Sequence, residues 1–152
     1  MGRNAIKRGG RAVLTKEMLL PLPTGKVRTL SLENHLALAT IRAGRGGTDQ
    51  IINLLRVIYL AFYLRDETAS GVDFDLYRKA EAALDACIER MAQGEKWLLL
   101  DHEQTAVERV LIVHDEQLAA VPKHRYLAAC DRVQRFVTSE GRSPIPVSEE
   151  VA

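Results

Sequence analysis

The chain has 152 residues, of which 47% are hydrophobic, 27% are charged and 5% are aromatic. This length suits a single domain that buries roughly 70% of the surface exposed by its unfolded chain. The net charge of +1 indicates no particular partner. Two cysteines, Cys87 and Cys130, are too few for a disulfide-rich scaffold or a four-thiolate zinc site. We expect both to be buried, reduced thiols of a cytoplasmic protein.

The first 30 residues predict an extended basic arm. Glycines punctuate this stretch, and each proline of the Leu20–Pro23 run pushes the preceding residue into extended geometry. Residues 1–46 carry nine Lys/Arg and two Asp/Glu, a net of +7, whereas the rest of the chain carries twelve and eighteen, a net of −6. Basic arms contact phosphates without sequence specificity. Four cations are the candidate nucleic-acid contacts: Arg3, Lys7, Arg8 and Arg11.

Two other interpretations of the arm stay open. It is a solubilising tail, or it folds onto the acidic body of its own or a neighbouring subunit. Few aromatic residues accompany its cations, so the arm shows little sign of stacking on the bases of a single strand.

Two helices are predicted after the arm. Ser31 is the expected N-cap of the first and Gly44 its stop, and Thr48 is the expected N-cap of the second, which runs to about Asp66. The second helix is apolar around most of its circumference, which is typical of a central, buried helix. Its apolar stretch, residues 51–64, is too short to span a membrane, since that requires about 20 residues. The same apolar surface argues against a DNA-reading helix.

Three further helices complete an all-α bundle of four to five helices. The third runs from the N-cap Asp73 to about Gln93, and the fourth begins at Asp101 with a capping box and ends near Ala120. Pro122 suits the first turn of the fifth. Residues 31–140 therefore form the predicted helical domain, and residues 141–152 form a polar tail.

The third helix carries an acidic stripe of Glu81, Asp85 and Glu89, spaced at i, i+4 and i+8. This stripe is either a docking site for a basic partner or a solvated face. None of the four histidines has convincing metal-ligand spacing, and His114 is expected at the edge of the core. No catalytic set and no cofactor motif is recognised, so we predict neither a cofactor nor a metal.

The segments Leu20–Pro23 and Val27–Leu38 carry a resemblance that extends over residues 20–65. This region resembles small proteins of proteobacterial phages and integrative elements, some of which are labelled Fis-type transcriptional regulators. The resemblance implies a mobile-element accessory protein of the bacterial cytoplasm, and it transfers no site residues.

These observations favour a non-enzymatic protein that acts by binding, as a homo-oligomer, with its basic arm on nucleic acid. The alternative is a regulatory or anti-defence interaction module that docks a protein of the host or of the element. An enzyme is the least favoured class, since the sequence contains no nucleophile elbow, phosphate loop or paired catalytic set.

Overall fold

A computed structural model describes residues 13–138 and 143–146. These residues form no β-strand, and the all-α prediction is confirmed. Two short 3₁₀ turns, Arg65–Glu67 and Ala69–Gly71, connect the third and fourth of six α-helices. The helices are α1 (Lys16–Leu19), α2 (Thr24–Arg42), α3 (Thr48–Tyr63), α4 (Phe74–Ala92), α5 (Asp101–Ala120) and α6 (Lys123–Thr138).

Helix α3 is the centre of the bundle, as its composition predicts. It contacts α2, α4, α5 and α6, and Leu54, Ile58 and Ala61 on its inner side are completely buried. Arg56, on the polar edge of this helix, is exposed. The helix is not buried on every side, however, because half of the Ile52 side chain is exposed.

Helix α2 begins earlier than predicted. It starts at Thr24, and Pro23 occupies the N-cap position, where its carbonyl accepts the N–H of Val27. Proline suits this end of a helix because the first N–H groups have no intrahelical partner. Ser31, the expected N-cap, lies inside the helix and donates a 2.7 Å hydrogen bond to Asp115 of α5. Residues 24–30, which we expected to be extended, are therefore helical.

Two predicted N-caps are wrong by one residue. Gly47 rather than Thr48 caps α3, and its N–H donates to the side-chain oxygen of Gln50 at 2.8 Å. At α5 the cap is likewise one residue earlier, at Leu100 instead of Asp101. In both cases a side chain three residues inside the helix accepts the N–H of the cap residue. The cap therefore depends on the backbone of the cap residue and not on its side chain.

The ends of the helices agree better with the sequence. Gly44 and Gly94 follow α2 and α4 with φ angles of 78° and 92°, which L side chains rarely adopt. Helix α5 ends at Ala120, as predicted. Helix α3 ends at Tyr63, three residues before the expected end, and the chain continues as a 3₁₀ turn.

The end of the chain also departs from prediction. Ile145, expected in a polar tail, is buried in the main core. The carbonyl of the next residue, Pro146, accepts a 2.8 Å hydrogen bond from Arg78 of α4. On α6, the side chain of Val137 is half exposed. No helix of the described ranges is long and apolar enough to cross a membrane.

Candidate functional site

The arm cations Arg3, Lys7, Arg8 and Arg11 lie outside the described residues. The structure does show where the following segment is attached. The N–H of Lys123 in α6 donates to the carbonyl of Leu20 at 2.8 Å, and its ammonium group lies 2.8 Å from the carboxylate of Glu17. This hydrogen bond and the positive charge lower the pKa of Glu17. Helix α1 is thus fastened to the start of α6.

The cations of residues 13–46 differ from those of the acidic body in their partners. Of the five between residues 13 and 46, only Arg42 forms an ion pair with a described residue, Glu108 at 3.1 Å. The other four are exposed: Lys16, Lys26, Arg28 and Arg45. In the body, by contrast, five cations pair with carboxylates: Arg78, Arg90, Lys123, Arg125 and Arg135.

The acidic stripe lies along one side of α4. Asp85 and Glu89 are exposed, whereas Glu81 is half buried and accepts a 2.6 Å hydrogen bond from the hydroxyl of Tyr59. Desolvation, together with the charges of Glu81 and Glu89, raises the pKa of Asp85. The predicted stripe therefore has two members available to a partner and one engaged inside the protein.

One concave surface is an open groove of about 660 Å³ between α4 and α5. Its floor includes Ala83 and Ala106, and its rim includes Lys79 and Arg109, which are exposed. Its one buried charge, Glu103, already pairs with Arg90. The groove consequently contains no buried polar group that lacks a partner.

The smaller concave surface is a cavity of about 240 Å³ where α2, α3, α5 and α6 meet. We call it the polar cavity. Aliphatic side chains form part of its wall. Its principal polar members are Asn34, Asn53, Arg56, His114, Tyr126 and Cys130.

His114 is completely buried rather than at the edge of the core, which corrects the sequence prediction. Its Nδ1 lies 2.9 Å from the Oε1 of Gln117. The Nε2 of Gln117 donates to the carbonyls of Ala61 and Leu64 at 3.0 and 3.1 Å. Because the amide nitrogen is the donor there, its oxygen must accept, and the proton of His114 is on Nδ1.

The Nε2 of His114 is consequently a lone-pair acceptor. It has no hydrogen-bond partner among the described residues. Burial lowers the pKa of His114, which keeps the ring neutral at pH 7. The polar cavity therefore includes in its wall a buried residue that can accept one further hydrogen bond.

Asn34 is the second buried polar residue of the cavity. It is 8% exposed, and its carboxamide has no hydrogen-bond partner among residues 13–138 and 143–146. Buried polar groups are paired in the great majority of cases. Asn34 was not among the predicted site residues, although its spacing from Leu30, Leu38 and Ile41 places it on the inner face of α2.

Cys130 and Tyr126 form the α6 side of the cavity. A hydrogen bond connects the two side chains, and burial raises the pKa of both. Both are protonated at neutral pH. Both cysteines are free thiols, but Cys130 is only half buried, so the prediction of a buried thiol is confirmed for Cys87 alone.

No protein-family model, curated protein or solved structure matches the chain. Within the described ranges no group of three or more His, Cys, Asp or Glu side chains could hold a metal ion. The polar cavity and the unpaired cations of residues 13–46 are the candidate binding features of the described residues.

Proposed function

We propose that the protein is a non-enzymatic, nucleic-acid-binding accessory protein of a mobile element that acts in the bacterial cytoplasm. Its basic arm, with Arg3, Lys7, Arg8 and Arg11, contacts the phosphate backbone without sequence specificity. The observation that supports this most is the contrast in ion pairing. The cations of residues 13–46 are exposed and mostly unpaired, whereas nearly half of those in the acidic body are already paired with carboxylates.

An unpaired cation suits phosphate binding because it need not leave a carboxylate first. Each phosphate contact releases condensed counterions, and this release drives binding at low salt. Lys16 on α1 and both Lys26 and Arg28 on the first turns of α2 belong to the same basic segment of the chain. They add exposed cations to the four candidate phosphate contacts.

The structure of α3 favours backbone contacts over base reading. A recognition helix presents polar side chains to the base edges of the major groove. Helix α3 instead buries most of its surface in the bundle centre. Its exposed surface includes half of the side chain of Ile52, which is apolar and cannot hydrogen-bond to a base edge. Binding through the arm should therefore depend on salt and little on sequence.

Fluorescence anisotropy with generic duplex DNA over a range of salt concentrations tests the proposal. If all four arm cations contact phosphates, they contribute about −3.6 to the slope of log K against log salt. Replacing all four by Gln should remove that contribution. The matched control replaces three exposed cations of the acidic body, Lys79, Lys96 and Arg109, and should leave the slope unchanged. Absence of binding by the intact protein at low salt would refute the proposal.

The acidic stripe supports a second candidate, a regulatory or anti-defence module that docks a protein of the host or of the element. Asp85 and Glu89 are exposed. The pKa of Asp85 is raised mainly by desolvation and further by repulsion from Glu81 and Glu89, which a basic partner would relieve. Capture of one specific protein after nuclease treatment, lost in the Asp85→Asn/Glu89→Gln variant, would favour this candidate. Light scattering with and without duplex DNA tests the homo-oligomer that both candidates assume.

A further inference from the structure

Two buried polar groups of the polar cavity have no hydrogen-bond partner among the described residues. The carboxamide of Asn34 and the Nε2 of His114 are both buried, and neither has a partner among the described residues. A buried polar group without a hydrogen-bond partner destabilises the folded protein. Two such groups in the wall of one cavity point to a polar occupant that satisfies them together.

The types of these groups define what the occupant must offer. A carboxamide presents a donor and an acceptor side by side, and it pairs with a nucleobase edge through two hydrogen bonds. His114 adds a second acceptor. An exocyclic amino group, which has two N–H bonds, can donate one to the oxygen of Asn34 and the other to His114.

A neutral donor fits this cavity better than an ammonium group. A buried cation needs a buried counter-charge. The carboxylate in the cavity wall is that of Glu33, which is exposed, and the ring of His114 is neutral. The amino group of a nucleobase carries no charge and avoids this cost.

Charge at the rim and the size of the cavity indicate how the ligand is oriented. Arg56 lines the cavity and is exposed, and the charges of Arg56 and Lys26 both act on the thiol of Cys130. These cations favour an anion at the opening. The volume of about 240 Å³ lies below the lower limit of about 300 Å³ for drug-sized ligands. It suits a base, with the phosphate outside.

We propose that the polar cavity binds a nucleoside monophosphate whose base carries an exocyclic amino group. The base enters between α2 and α6 and pairs with Asn34 and His114, while the phosphate lies near Arg56 and Lys26. This site is separate from the arm and does not depend on nucleic-acid binding by it.

Titration of the full-length protein with AMP, CMP and UMP by calorimetry tests the assignment. UMP is the negative probe because its base has no amino group, and it should bind at least about tenfold more weakly than AMP or CMP. Equal binding of the three, or no binding of any, would overturn the proposal.

The Asn34→Leu variant separates recognition from folding. Leucine has a similar size and removes an unsatisfied polar group, so the variant should unfold at the same or a higher temperature while its affinity for AMP falls at least tenfold. Arg56→Gln, a change at an exposed position, should weaken AMP binding but not adenosine binding. Full affinity for AMP in the Asn34→Leu variant would contradict the site.

Cys130 provides a readout of where the ligand binds. AMP should slow the alkylation of Cys130 by N-ethylmaleimide, followed by mass spectrometry, because this half-buried thiol lines the cavity. Cys87, which is fully buried, serves as the internal control. The variant that lacks the four arm cations should keep this protection, so failure of the arm proposal and failure of the cavity proposal give different results. Binding of AMP without protection of Cys130 would place the ligand elsewhere.

Discussion

The Nδ1 of His114 lies 2.9 Å from the Oε1 of Gln117, one turn further along α5, and both side chains are completely buried. The amide of Gln117 in turn donates to the carbonyls of Ala61 and Leu64, at the end of α3. These carbonyls also accept the backbone N–H groups of Leu64 and Glu67, respectively. Gln117 therefore adds a second hydrogen bond to each carbonyl and connects α5 to the end of the central helix.

We expect the Gln117→Leu change to lower the free energy of unfolding by about 1–3 kcal/mol. It leaves the Nδ1–H of His114 buried without a partner, whereas the carbonyls of Ala61 and Leu64 keep their backbone donors. Urea denaturation measures the effect. Gln134→Leu on the exposed side of α6 is the control and should change stability by less than about 0.5 kcal/mol. Equal stability of the two variants would contradict the role given to Gln117.

His114 should make stability depend on pH. Burial lowers its pKa in the folded state, whereas the unfolded chain has the ordinary value of about 6.5. Below that value the unfolded chain takes up a proton that the folded protein does not, so the free energy of unfolding falls as the pH drops. Denaturation at pH 7.5 and 5.5 should show this loss in the wild type and less of it in His114→Gln. The same pH dependence in both proteins would show that His114 is not responsible.

Replacement by alanine should have opposite effects on stability at Gly25, in the first turn of α2, and at Gly46, in the turn that follows α2. A Cβ on Gly46 would lie 2.5 Å from the Cγ1 and 3.0 Å from the Cα of Ile41, so Gly46→Ala should destabilise the protein by about 1–3 kcal/mol. A Cβ on Gly25, in the first turn of α2, would meet nothing within 4 Å. Gly25→Ala should stabilise by about 0.5 kcal/mol. Thermal unfolding compares the pair, and a tolerated Gly46→Ala would mean that the turn relaxes freely.

The ion pair of Arg90 and Glu103 connects the end of α4 to the start of α5. Their side chains are 2.6 Å apart and 23% and 7% exposed, and Arg90 also donates to the carbonyl of Leu98. Burial opposes ionisation of Glu103, but the hydrogen bonds from Arg90 and the N–H of Leu100 outweigh it and lower its pKa.

Removal of Arg90 should therefore cost more than removal of both charges. Arg90→Leu leaves a buried carboxylate and should lower the free energy of unfolding by about 2–3 kcal/mol, less than for a fully buried pair because Arg90 is partly exposed. In the Arg90→Leu/Glu103→Gln double variant part of that loss should be recovered. Additive losses in a double-mutant cycle would show that the two residues are not coupled.

The sequence predicts best those features that a few neighbouring residues determine. Gly44 and Gly94 end their helices because the backbone there adopts a positive φ, which glycine tolerates without strain. The apolar circumference of α3 is likewise a local pattern, and it identified the central helix. The starts of the helices were predicted less accurately. The hydroxyl of Ser31, for example, does not cap a helix but donates to Asp115, 84 residues away.

The polar cavity could not be predicted because its members come from distant parts of the chain. Asn34 and His114 are separated by 80 residues, and no periodicity within one helix brings them together. The helical period does place Asn34 on the inner face of α2. The packing of four helices decides that this face meets His114 and Cys130.

Attachment of α1 to α6 limits how far the arm can reach. The hydrogen bond between Leu20 and Lys123 fixes the chain beside the start of α6, and Arg3 precedes Val13 by ten residues. Ten extended residues span at most about 35 Å, which equals about one turn of duplex DNA. If the arm binds a duplex as we propose, Arg3 can contact phosphates no further than about one helical turn from Val13.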